Sequence, residues 1–132
     1  MSTTFSFELI TPERVYFSGQ AAQVIIPGQM GEFGVLKGHA PFISTLKPGV
    51  VMVEDAQGQQ QRYVVLSGVA EATAHKASVL AELVESLEGV TQESAKARLE
   101  SAEQAMKDAI SEPQKELALQ EKQIAQTILA AA

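Results

Sequence analysis

The chain has 132 residues, no cysteine, no tryptophan and a formal charge of −6. That length admits one ordinary domain, or a small domain with an appendage, and excludes two large ones. An excess of 16 Asp and Glu over 10 Lys and Arg argues against a nucleic-acid partner, and the lack of cysteine removes disulfides, thiolate metal sites and thiol nucleophiles while fitting a reducing, cytoplasmic address.

No run approaches the about 18 apolar residues needed to cross a bilayer, and the opening MSTTFSFELITPER lacks the basic start and apolar middle of a secretory signal. The expectation is a soluble chain that meets a membrane only through partners.

From Phe5 to Leu83 short runs rich in Val, Ile and Phe alternate with Gly, Pro and Asp clusters. FSFELI alternates strictly, putting Phe5, Phe7 and Leu9 on one face; RVYFSGQA, AQVIIP, EFGVL, FISTL, GVVMVED, QRYVVL, VAEATA and KASVLAEL follow as candidate strands. The connections are too short for helical crossovers, which favours a β-sandwich or flattened barrel of two packed sheets over a parallel sheet. Thr11-Pro12-Glu13 separates the first two runs and Lys47-Pro48-Gly49 makes a turn. Asp55-Ala56-Gln57-Gly58 closes a hairpin that pairs GVVMVED with QQRYVVL.

Within this half, PGQMGEFGVLKGHAP (Pro27 to Pro41) is the most unusual stretch. Glycines at 28, 31 and 34 are expected to let the backbone fold back tightly while Phe33, Val35 and Leu36 reach a core, leaving Glu32 and His39 exposed at the tips. Such a surface suits docking more than catalysis. A phosphate cradle is disfavoured, because such loops run into a helix start and usually carry a Lys, whereas apolar Val35-Leu36 follows the glycines here and Glu32 sits among them.

After Leu87-Glu88-Gly89 the composition turns to Ala, Glu, Gln and Lys, which is helix composition. Ala95, Leu99, Ala102, Met106 and Ala109 recur at steps of four and three, with Thr91 placed to cap the start. Pro113 ends that helix and begins another, Ser111 and Gln114 resembling a capping box; Leu117, Ala118, Ile124, Ala125, Ile128 and Leu129 form the second stripe, interrupted by Glu121. The chain is therefore read as mainly β plus α, a sandwich over residues 1–87 followed by an antiparallel α-helical hairpin over 88–132. The hairpin is acidic, with nine acidic and five basic residues from Leu83 onward, which speaks against a membrane-surface helix.

Other chemistry finds little support. The two histidines, His39 and His75, have no cluster of acids at ligand spacing, so no metal is expected. Ser67 lacks the setting of a nucleophile elbow, and Glu13, Glu54 and Asp55 fall at turns with no aromatic platform for a sugar. No catalytic residue and no cofactor are expected.

The order TPE, FSG, PG..GEFGVL, GHAP, PG and SVLAE, followed by a helical hairpin, resembles the ε subunit of F-type ATP synthases, most specifically at Gly31 to Pro41 and Thr11 to Gly19. The resemblance implies a non-catalytic subunit of the rotating central stalk, on the cytoplasmic face of the bacterial inner membrane. Its partners would be the γ subunit and the c-ring of Fo, with the α and β subunits reached through the hairpin. Gly31, Glu32, Phe33, Gly34, His39, Ala40 and Pro41 match the family's docking segment, Glu32 standing where the family's acid meets the c-ring loops. Small departures are Lys37, where the family often has Pro, and Val69, where it often has Gly.

In that family the hairpin can also act as a brake on ATP hydrolysis, and some members bind ATP through (Ile/Leu)-Asp-x-x-Arg-Ala. Here the motif reads Val90-Thr91-Gln92-Glu93-Ser94-Ala95, with Thr91 for the Asp and Ser94 for the Arg. Losing the guanidinium removes the donor a triphosphate most needs, so no nucleotide site is expected. Closing a hairpin accounts for every apolar position without a brake; a mainly inhibitory subunit is the alternative reading.

Overall fold

The computed structural model describes residues 3–132, in two compact units, one running to Ser86 and one from Leu87 to Ala132. The first unit is built of nine strands: β1 (Phe5–Ile10), β2 (Val15–Gly28), β3 (Gly31–Leu36), β4 (Phe42–Thr45), β5 (Gly49–Asp55), β6 (Gln60–Val65), β7 (Gly68–Ala72), β8 (Lys76–Ala81) and β9 (Val84–Ser86). The alternation in FSFELI is realised on β1, whose Phe5, Phe7 and Leu9 are buried while Ser6, Glu8 and Ile10 are partly exposed. Each such large side chain taken out of water contributes about 1.5–3 kcal/mol before the cost of ordering it.

The strands form one hydrogen-bonded ladder in the order β4-β7-β8-β1-β2-β5-β6-β9, with β3 also on β2. β2 is the strand that divides it. Its first half pairs with β1, from Phe5↔Ala21 to Ile10↔Val15, and its second half runs between β3 and β5. Two layers result, one ending in β4 and the other in β3 and β9, and their inward residues meet in a single core that includes Phe7, Leu9, Val24, Ile26, Val51, Val65 and Val79. The two expected sheets are thus layers of one continuous ladder.

Three local differences from the sequence reading have physical causes. RVYFSGQA and AQVIIP are a single 14-residue strand, because Gly19 to Ala22 is not a turn but the place where β2 passes from one layer to the other, with a register shift against β5 between Ala21 and Gln23. KASVLAEL is not one strand: β8 stops at Ala81, the Glu82 N–H donates to the Ser67 carbonyl, and β9 turns off to pair with β6. β1 and β8 are parallel, the one such pair among the described residues; β2 to β7, which intervene between them, supply the long connection that a parallel pair requires. The Asp55 turn forms as the residues dictate: the Asp55 carboxylate accepts the N–H groups of Gln57 and Gln59, both at 2.9 Å, and Gly58 takes φ +81°.

The second unit holds α1 (Gln92–Asp108) and α2 (Glu112–Ala131). Thr91 caps α1 and Ser94 reciprocates: the Ser94 N–H donates to the Thr91 hydroxyl at 3.0 Å, and the Thr91 N–H donates to the Ser94 hydroxyl at 3.1 Å. At α2 only half of the expected box forms; the Gln114 N–H donates to Ser111, but the Gln114 carboxamide accepts from Ile110 instead. Ala95 and Ala102 of α1 and Ala118, Ile124, Ala125 and Ile128 of α2 are the buried residues of the hairpin. The pair is antiparallel, with Gln92 at the start of α1 donating to the carbonyl of Ala132. Glu121, which breaks the apolar stripe, accepts a two-pronged ion pair from Arg98. Leu117, expected inside, is 67% exposed, because the helices' seam runs through Ala118 beside it.

Candidate functional site

The segment singled out by its glycines becomes the β2–β3 hairpin and the connection from β3 to β4. Gln29 and Met30 form the hairpin turn between the paired Gly28 and Gly31. Neither takes a positive φ, so the left-handed step falls on Gly31, at φ +135°. Gly28 is required for a different reason: a Cβ there would lie 2.7 Å from the Phe33 ring and 2.8 Å from the Gly31 carbonyl. Gly34 has neither need, since only Gln23 Nε2, at 3.7 Å, would meet an added Cβ. The single conformational reason expected for three glycines resolves into two causes and one position left open.

Alternation on β3 then decides which side chains face out. Val35 is buried and Phe33 half-buried, while Glu32, Gly34 and Leu36 are exposed. Leu36, expected in the core, is 57% exposed, because a strand places neighbours on opposite faces and Val35 takes the inward position. Glu32 lies within the strand opposite Pro27, and Met30 rather than Glu32 holds the tip, fully exposed. Among the described residues the Glu32 carboxylate has no ion-pair partner.

His39 departs from the expectation of an exposed tip. Its ring packs edge-on against Phe5, with centroids 5.3 Å apart, and against Phe42 at 6.2 Å; Phe42 in turn packs edge-on against Phe33 at 5.2 Å. Both ring nitrogens are buried with no hydrogen-bond partner. Leaving a polar atom so costs about 1–3 kcal/mol, offset here by edge-on ring pairs worth about 0.5–1.5 kcal/mol each beyond their buried area. His39 therefore anchors the turn after β3, which the His39 N–H closes by donating to the Leu36 carbonyl at 3.2 Å.

Phe33, Gly34, His39, Ala40 and Pro41 come together around one cleft of about 430 Å³, completed by Val35, Phe42 and Ser44. Gly31 and Glu32 are not part of its lining and stand beyond it on the hairpin. The cleft is mostly apolar, and it brings together no nucleophile, base and orienting acid. The residues missed from sequence are Met30 and Leu36, whose exposure follows from turn position and strand parity. A wider groove of about 670 Å³ runs along the outer layer past Phe42, Ile43 and the Glu8–Lys76 ion pair (3.3 Å).

At the start of α1, the two residues that stand in place of a nucleotide motif's Asp and Arg, Thr91 and Ser94, are engaged with each other in the capping box. Their hydroxyls serve the helix end.

The comparisons with known proteins bear on the family and the fold. The family model for the ATP synthase delta/epsilon chain β-sandwich domain matches residues 4–87. The ATP synthase epsilon chain of Rhodospirillum rubrum is 40% identical over 131 residues, 99% of this chain and 98% of that one. Its counterpart in Bradyrhizobium sp. strain BTAi1 is 48% identical over 89 residues, covering 67% of this chain and 65% of that one. Among solved structures, a chain of the Euglena gracilis mitochondrial ATP synthase, OSCP/F1/c-ring in rotational state 1, matches with a TM-score of 0.76 at 22% identity, over 99% of this chain and 82% of that one. A chain of the Tetrahymena thermophila mitochondrial ATP synthase central stalk and c-ring matches with a TM-score of 0.62 at 11% identity, over 96% and 94%. Those two show the fold; with a matched sandwich and a full-length bacterial relative at 40% identity, the chain belongs to the ATP synthase epsilon chain family.

Proposed function

We infer that this chain is a non-catalytic subunit of the central stalk of a proton-translocating ATP synthase, carrying c-ring rotation to the catalytic head. In this reading it is peripheral to the bacterial inner membrane on the cytoplasmic side and needs no cofactor. It contacts the γ subunit and the c-ring through Gly31 to Gly34 and His39 to Pro41, and any contact with α and β is made by the helical hairpin. No helix among the described residues is long and apolar enough to cross a membrane, so attachment to the bilayer through helices would come from the partners.

The observation that carries the reading is the β2–β3 hairpin. Exposed Met30 at the turn, and exposed Leu36 and a Glu32 carboxylate without an ion-pair partner among the described residues, are held by a strand fixed in a six-pair ladder and anchored behind by the His39, Phe42 and Phe33 rings. Groups held in place before contact lose little freedom on binding, which suits a joint that must bear load. In reconstituted enzyme, Glu32→Ala is expected to lower proton-driven ATP synthesis about three- to tenfold, the loss of about one charged contact, while the catalytic head keeps its hydrolysis rate. Unchanged assembly and unchanged synthesis would refute docking through this hairpin.

A further inference from the structure

We propose that the outer edge of β3 is a strand-addition site, where an extended segment of a partner protein pairs main chain to main chain with Glu32 and Gly34. This rests on the docking reading above and specifies how the contact is made.

The parity of the ladder identifies the free groups. Pro27 faces Glu32 across β2 and β3. Proline has no N–H, and the Pro27 carbonyl accepts the Lys47 N–H at 3.0 Å, away from β3. Pro27↔Glu32 is therefore a pair whose ladder bonds are made by its neighbours, Ile26↔Phe33 and Gly28↔Gly31. The N–H and C=O of Glu32 point away from β2, and with the strand's period of two so do those of Gly34. Both residues are exposed, and among the described residues neither has a main-chain partner beyond the ladder. The open edge ends at Leu36, whose carbonyl is taken by His39.

Sheets ordinarily guard such an edge with Lys, Pro, an inward charge or a bulge. Gly31 to Leu36 reads GEFGVL, with no Lys or Pro, its one charge points outward, and its register against β2 is unbroken. Gly34 has no side chain to hold a neighbour off, and a Cβ added there would meet only Gln23 Nε2, at 3.7 Å. Met30 and Leu36 expose apolar surface at the two ends of the edge, Leu36 on the same face as Glu32.

The same features define the occupant. Main-chain pairing needs an extended segment without proline at the two bonded positions. Glu32 calls for Lys or Arg at the facing position, and Met30 and Leu36 call for apolar flanks. A second copy of this chain paired about Phe33 would set Glu32 against Gly34 and leave both carboxylates without a cation, so a different chain fits better.

The test adds the full chain back to a stalk assembly of γ subunit and c-ring prepared without it. Gly34→Pro removes the outward N–H at an edge position where proline is tolerated, whereas Gly34→Ala adds a methyl and keeps the N–H. Gly34→Pro is expected to weaken add-back about tenfold more than Gly34→Ala, the worth of one or two main-chain hydrogen bonds. Amide exchange in the peptide spanning Glu32 to Gly34 is expected to slow about tenfold or more on assembly of the unaltered chain. Equal losses in the two variants, or no slowing of exchange, overturn strand addition. Should Gly34→Pro fail to fold, the exchange measurement decides alone. Parent-like binding by Gly34→Pro with weakened binding by Glu32→Ala overturns strand addition and leaves side-chain docking standing; parent-like binding by both removes both readings. Self-association of the free chain that Gly34→Pro abolishes would make the occupant a second copy and overturn the partner assignment.

Discussion

In the sandwich, the residues that share the core are far apart along the chain: Phe7 of β1, Val24 of β2, Val65 of β6 and Val79 of β8 belong to one buried cluster. In the helical hairpin the buried set is Ala95, Ala102, Ala118, Ala125 and two isoleucines, and much of the rest is polar: a capping box at Thr91, a capping serine at Ser111 and the ion pair of Arg98 with Glu121 between the two helices. Alanine buries little area, so the hairpin relies on helix ends and single polar contacts where the sandwich relies on volume. The sandwich should thus respond to cavities and the hairpin to the loss of individual caps.

Three measurements break or sharpen that contrast. The largest effect is expected from Leu9→Ala, which empties a fully buried position of β1 and should cost about 2–5 kcal/mol in a urea titration followed by tyrosine fluorescence. A loss below about 1 kcal/mol would mean that the core is not close-packed there. Thr91→Ala removes the α1 cap and should cost about 0.5–2 kcal/mol, read as an earlier loss of helical circular dichroism on heating. The smallest effect concerns nucleotide. With Thr91 and Ser94 committed to each other, ATP at about 1 mM should raise stability by no more than about 0.4 kcal/mol, corresponding to a dissociation constant near or above millimolar. A stabilisation of about 4 kcal/mol, the mark of micromolar binding, would show that the capping box yields to the ligand.

How much of this was legible in the sequence depends on whether the deciding contact was local. The FSFELI alternation, the Asp55 turn and the Thr91 cap are set by neighbours within a few residues, and each forms as read. The passage of β2 between layers was hidden, because Gly19 to Ala22 reads as a break unless β1 and β5 are known to flank it. β9 was hidden too, since Val84–Ser86 is too short to alternate visibly and exists only by pairing with β6. Within the candidate site, Glu32 was correctly read as exposed. The burial of the His39 ring nitrogens could not be, because a ring they rest against, Phe5, belongs to the first strand.

The continuity of β2 bears on stiffness. Sheets stacked only through side chains can slip past one another, since dispersion contacts have no preferred direction along the interface. Here one 14-residue backbone runs from the first stack into the second. Relative sliding must shear main-chain hydrogen bonds on both sides of Ala21 at once. A force that would slide one layer past the other is therefore resisted along a continuous backbone, and the two layers hold together rather than delaminating.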